Sequence, residues 1–155
     1  MFGTTPTAAT STVFSIGTNA QTNAASSFVA YCFAAVAGYS AFGSYTGNGS
    51  ADGPFVYLGF RPRWLMIKNI TNAQPWIIVD TSRNTYNQAG DYLQANSSAA
   101  ENGGSAVSTA TADDILSNGF KLRNNASSSG YTNGSGDTYI YAAFADNPFK
   151  LSLAR

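Results

Sequence analysis

The run GSYTGNGSADGPFVYLGF, Gly43 to Phe60, combines glycines, small polar residues and an aspartate, the ingredients of a phosphate or metal loop. A phosphate cradle leads into a helix N-terminus and usually carries a lysine. This loop instead enters Pro54-Phe55-Val56-Tyr57, which reads as a strand, and the nearest lysine is Lys68. Asn48, Ser50 and Asp52 ahead of Gly53 copy the first half of a calcium loop, but its twelfth position is Gly59 instead of a glutamate. One carboxylate among the ligands makes a weak site at best. Asn48-Gly49 and Asp52-Gly53-Pro54 are turn signals, and a turn is what the loop spells.

The remaining candidates are few. Asp113-Asp114 is the only adjacent carboxylate pair, yet strand neighbours point to opposite faces, so the two do not converge on a substrate. Asp80 and Arg83 in IIVDTSRNTYN suit a local ion pair that fixes the loop, and the same groups are available to a ligand. Trp64 and Trp76 open two strand-like runs. They offer rings on which a sugar stacks, or they close the core against each other. Arg61 and Arg63 flank Pro62 and read as charges on an edge or loop that discourage stray pairing or join a subunit contact. The chain has no histidine and no Gly-x-Ser-x-Gly elbow, so the commonest general base and metal ligand are missing. Cys32, inside FVAYCFAA, reads as a buried packing residue. Neither a cofactor nor a metal is expected.

Composition narrows the partners. Only 10% of the 155 residues are charged and the charges sum to zero. Nucleic-acid binding, which needs clustered lysine and arginine, is not expected. A neutral surface rich in hydroxyl and amide groups suits self-association or sugar contact. The longest apolar run, Phe28 to Gly38, is too short to span a bilayer, and the N-terminus lacks the basic start and apolar core of a signal peptide. A soluble chain without a classical export signal is the expectation.

The elements that would position these residues are strands. Candidates are Thr12–Ile16, Phe28–Ala35, Tyr39–Tyr45, Phe55–Phe60, Trp64–Asn69 and Trp76–Asp80, with weaker ones at Asp91–Gln94, Asp113–Leu116, Gly119–Leu122 and Thr138–Ala145. No long window keeps a helical apolar period. The expected fold is all-β: a single-domain antiparallel β-sandwich of jelly-roll type with little helix. It would span 12–148, with an extended N-terminal arm over 1–11 and a C-terminal tail over 149–155. Asn118-Gly119, between Ile115-Leu116 and Phe120-Lys121-Leu122, predicts a type I′ hairpin. The two ends of the chain also share a skeleton. Phe14 and Ile16 match Phe120 and Leu122, Phe28-Val29 matches Tyr139-Ile140, and Phe33-Ala34 matches Phe144-Ala145. Two copies of one strand–loop–strand unit would send the loops Asn19–Ser27 and Asn124–Asp137 from one end of the sandwich.

AYCFAAVAGYSAFGSYTGNGSADGPFVYLGFRPRWLMIKN, WIIVDTSRNTYN, LQANSSAAE, DILSNGFKLRN and TYIYAAFADNPFK occur in that order between about Val13 and Lys150. This series resembles a domain of uncharacterised function found in bacteriophage virion proteins, often at the C-terminal end of tail-fibre-like or tail-spike-like chains. The resemblance implies a non-enzymatic structural module of the virion surface that self-associates as a homo-oligomer and contacts other virion proteins. No fibre shaft or lectin module precedes the domain here, which favours a capsid decoration or head-surface protein, or a fragment of a longer one. The alternative is a carbohydrate-binding module for host attachment, its glycan held by Trp64, Trp76, Asp80 and Arg83.

Overall fold

A computed structural model describes residues 9–104, 111–125 and 130–148. The proposed tail 149–155 and most of the proposed arm lie outside them. The chain divides into two compact units, Met1–Phe33 and Ala34–Arg155.

The second unit holds the strands β1 (Ser40–Thr46), β2 (Phe55–Tyr57), β3 (Pro62–Asn69), β4 (Trp76–Asp80), β5 (Leu93–Gln94), β6 (Asp113–Leu116), β7 (Gly119–Leu122) and β8 (Thr138–Ala145). One 3₁₀ turn, Glu101–Gly104, is the only helical element among the described residues. The fold is all-β, with two antiparallel sheets in the orders β1-β8-β3-β4-β5 and β2-β7-β6.

Period-2 alternation puts Leu65, Ile67, Ile77, Val79, Tyr139 and Ala143 on the inner face of the larger sheet, all at most 1% exposed. Val56, Ile115, Phe120 and Leu122 answer from the smaller sheet. The Phe120 ring lies edge-on to Tyr45 at 6.0 Å and to Tyr141 at 5.7 Å, wedging the smaller sheet's central strand between two rings of the larger. Fully burying such a side chain contributes about 1.5–3 kcal/mol.

The hairpin β6–β7 forms, one residue out of the expected frame. Leu116 pairs with Gly119, so the turn is Ser117-Asn118, and neither has positive φ. Gly119 belongs to the strand for a different reason. A Cβ there would stand 2.1 Å from the Val56 carbonyl oxygen, so glycine lets β2 approach β7. Gly59, at φ 78°, turns the chain soon after β2 and ends the run expected to reach Phe60.

Thr12–Ile16 and Phe28–Ala35 are not strands. Extended backbone becomes a strand only when a neighbouring strand takes its N–H and C=O groups in a ladder, and neither run belongs to a ladder. That unit is organised by Asn19, whose carbonyl accepts from Thr22 and Asn23 N–H while its side chain accepts from Gln21 N–H. Val13, Val29, Tyr31 and Phe33 stay mostly exposed. Cys32, expected to be buried, is exposed as well. The likeness between the chain ends therefore stops at sequence, since Phe120, Leu122 and Tyr139 are buried strand residues while Phe14, Ile16 and Phe28 are exposed and unpaired in any strand. Part of the second loop, 126–129, lies outside the described residues.

Candidate functional site

The outer face of the five-stranded sheet gathers most of the residues with binding potential. Register aligns them in three cross-strand rows. Ser40, Phe144, Trp64 and Asp80 form the first; Phe42, Ala142, Met66, Ile78 and Leu93 the second; Ser44, Ile140, Lys68 and Trp76 the third. The middle row is apolar throughout. An outward face normally alternates to polar residues, so an apolar row across all five strands departs from that pattern. Phe144 anchors the first row, edge-on to Phe42 at 5.9 Å and to Tyr39 at 6.0 Å, with the Trp64 ring tilted against it at 5.6 Å.

Three of the four residues expected to hold a ligand come together. Trp64 is the cross-strand partner of Asp80, and Asp80 pairs with Arg83, Nε to Oδ2 at 3.4 Å. Asp80 Oδ1 also accepts from the Ser82 and Arg83 backbone N–H groups at 2.9 Å, fixing the turn after β4. Arg83 forms a second ion pair with Glu101, whose hydrogen bond raises the guanidinium further above its ordinary value. Trp76 stands apart. It faces the same way but two rows along, about 13 Å down the ladder. The two indoles are both half-buried on this face and neither closes the core. At that separation they would stack on different rings of an oligosaccharide, never on one sugar.

Arg61 lies in the loop just before β3, while Arg63 lies on that strand, mid-sheet between β8 and β4 and so not on an edge. Both pair with Asp146, at 3.8 and 3.1 Å, and Arg61 also donates to the Ile115 carbonyl, tying the two sheets at that end.

The Gly43–Phe60 loop uses its oxygens on the protein itself. Asn48 Oδ1 accepts from Ser50 N–H at 3.0 Å, and Asp52 pairs with Lys121 at 2.6 Å. Lys121, by hydrogen bond and charge, holds Asp52 below the usual carboxylate range. Beneath the loop, fully buried Asn133 donates to the Ser50 and Asn124 carbonyls at 2.8 Å and accepts from Asn48 N–H at 2.9 Å. The loop is a turn pinned by an asparagine, as its sequence spells.

Residues 2–148 match the family model described as Domain of unknown function (DUF7483). The chain belongs to the DUF7483 family. No curated protein and no solved structure matches it.

In this DUF7483 domain the paired aspartates separate as strand geometry requires. Asp114 faces outward and accepts from Arg123 Nε at 2.6 Å, while Asp113 turns into the core. Among the described residues no group of three or more histidine, cysteine, aspartate or glutamate side chains could hold a metal ion. A buried network around Tyr139 was not legible in advance. Its hydroxyl donates to the Gly130 carbonyl at 2.7 Å and accepts from Gly134 N–H at 2.7 Å, and Asn69 joins it to Asp137. Burial, the largest cause, pushes that phenol up to about 12. A lone asparagine closing an apolar strand was the one signal of this network in the sequence.

Proposed function

We propose that this domain is a non-enzymatic structural module of a bacteriophage particle, acting at the virion surface by associating with copies of itself and with other virion proteins. The observation that carries the reading is the distribution of charge. The first charged residue is Asp52, and the 51 residues before it include Val13, Val29, Tyr31 and Phe33, each more than 60% exposed. Charge-free surface bearing scattered large apolar groups is what a chain offers to another chain. The phage setting rests on the ordered motifs from Val13 to Lys150, and a capsid decoration or tail-fibre-type module are the two placements they suggest. The divergence of Asp113 and Asp114 supports a role in contact over one in catalysis.

Light scattering on the purified protein tests the core of this reading, with a symmetric oligomer expected. A monodisperse monomer at high concentration would overturn it. Mass spectrometry of separated heads and tails would locate the chain in the particle.

Glycan binding is the second reading, favoured by the Trp64–Asp80–Arg83 grouping. Binding on a glycan array that is lost in a folded Trp64→Ala variant would establish it. A Trp76→Ala variant should matter only for ligands of several sugar units.

A further inference from the structure

We propose that the outer face of the smaller sheet is a binding site for an uncharged saccharide, which stacks on Tyr57 and Phe55 and hydrogen-bonds to the ion pairs beside them. The site is independent of the self-association reading. It lies on the opposite side of the sandwich from Trp64, because the two sheets meet through their inner faces.

Alternation along β2 puts Val56 in the core and turns Phe55 and Tyr57 outward. Register extends that face in two cross-strand rows, Phe55, Lys121 and Asp114 in one and Tyr57, Gly119 and Leu116 in the other. Each ring lies against a glycine. A Cβ at Gly119 would stand 3.1 Å from Phe55 Cε2, and one at Gly59 would stand 3.6 Å from Tyr57 Oη and 3.8 Å from Cζ. The rings are thus backed by main chain and still open to solvent, Phe55 being 44% exposed and Tyr57 68%. Covering a strand glycine accounts for Phe55. It does not account for Tyr57, whose glycine lies past the strand in a turn. Scattered exposed apolar residues need no explanation, but two neighbouring rings directed the same way form a platform.

Charge is concentrated beside the rings. Lys121 pairs with Asp52 at 2.6 Å, Arg123 reaches the same oxygen at 3.6 Å, and Arg123 Nε holds Asp114 at 2.6 Å. Two of the chain's eight basic and two of its eight acidic residues therefore meet here. Their charges cancel, so the face exerts no net pull on a phosphate, a carboxylate or a cation. What it offers is charged donors and acceptors fixed side by side, and hydrogen bonds to such groups are roughly twice as strong as neutral ones. A sugar hydroxyl both donates and accepts, and the apolar face of a pyranose fits an aromatic ring. An uncharged saccharide matches both halves of the site.

Size separates a sugar from a protein partner. β2 has three residues and β6 and β7 four each, so the face covers roughly 10 by 13 Å at the usual strand spacing and rise. A stable protein interface takes about 800 Å² from each partner. The face is a fraction of that, the size of one or two sugar rings.

An NMR titration of the full chain with maltose, cellobiose and lactose, each to tens of millimolar, tests the site. At least one sugar should shift the backbone amides of Phe55, Val56, Tyr57 and Lys121, and inorganic phosphate should not. Tyr57→Ala, at an exposed position, should weaken binding about tenfold, while Tyr57→Phe should retain it. Lys121→Met should weaken binding too, and Trp64→Ala should leave it unchanged. No shift with any of the three sugars would overturn the proposal, as would binding in Tyr57→Ala equal to that of the parent. Shifts confined to the Trp64 and Trp76 indole N–H groups would overturn this site and leave the glycan reading of the larger sheet standing. If Tyr57→Ala separates an oligomer seen by light scattering without altering sugar binding, the face joins copies and the proposal fails while self-association stands.

Discussion

Asp114 accepts a hydrogen bond from Arg123 Nε at 2.6 Å, while its neighbour Asp113 is 0% exposed with neither carboxylate oxygen hydrogen-bonded among the described residues. Burial first, and the Asp114 charge second, push the Asp113 carboxyl well above the usual range. The folded chain thus holds a proton that the unfolded chain releases near pH 4. Stability contributed this way is full below the unfolded value and is lost as pH rises toward the folded one. Asp91 works in the opposite sense. Hydrogen bonds from Asn102 and Asn84 hold it low, so its contribution is present above the unfolded value and is lost as pH falls.

Asp113→Asn removes the raised carboxyl while keeping its shape. Thermal unfolding from pH 4 to 8 should show the variant gaining on the parent as pH rises, with the difference smallest at the acid end. Parallel profiles would mean that Asp113 ionises in the fold without penalty.

Asn133 ties the Gly43–Phe60 loop to the segment before β8. Asn133→Ala removes the donor to the Ser50 and Asn124 carbonyls, and two such hydrogen bonds together contribute about 1–3 kcal/mol. Urea unfolding should show a loss of about 1–3 kcal/mol. A loss below 1 kcal/mol would show that water replaces the amide.

Gly119→Ala drives a Cβ to 2.1 Å from the Val56 carbonyl, where backbone has to move. Destabilisation of about 1–3 kcal/mol is expected, with β2 displaced from β7. Amide exchange at Leu58 and Gly59, which donate to the Asn118 carbonyl, should quicken most. Unchanged protection there would contradict the tight β2–β7 contact.

Arg83→Ala removes both ion pairs of the turn after β4, but they lie at the surface, where such pairs contribute little. The free energy of unfolding should fall by less than about 1 kcal/mol. A larger loss would make Arg83 a packing residue, and a lost glycan signal without a stability change would make it a ligand contact.

Much of the fold was legible because strands declare themselves locally. The runs Trp64–Asn69, Trp76–Asp80, Asp113–Leu116, Gly119–Leu122 and Thr138–Ala145 hold apolar or β-branched residues at a spacing that needs no partner to be noticed. The same rule misread Thr12–Ile16 and Phe28–Ala35, since propensity reports a willingness to pair and not the presence of a mate. It also missed the apolar row across the outer face of the larger sheet, because a strand apolar on both faces looks the same wherever its second face is directed.

For the candidate site, the Asp80–Arg83 contact was readable from a three-residue spacing within one turn. The pairing of Trp64 with Asp80, and the distance to Trp76, were not, because they depend on the register between β3 and β4.

Sequence by itself determined the all-β class, the absence of histidine chemistry, the low charge and the family. Local conformational preference and composition act along the chain, so they are visible there. Tertiary structure alone decided that Asp113 is buried and Cys32 exposed, and that Gly119 serves β2 and not a turn. Those outcomes depend on what another part of the chain places beside each residue.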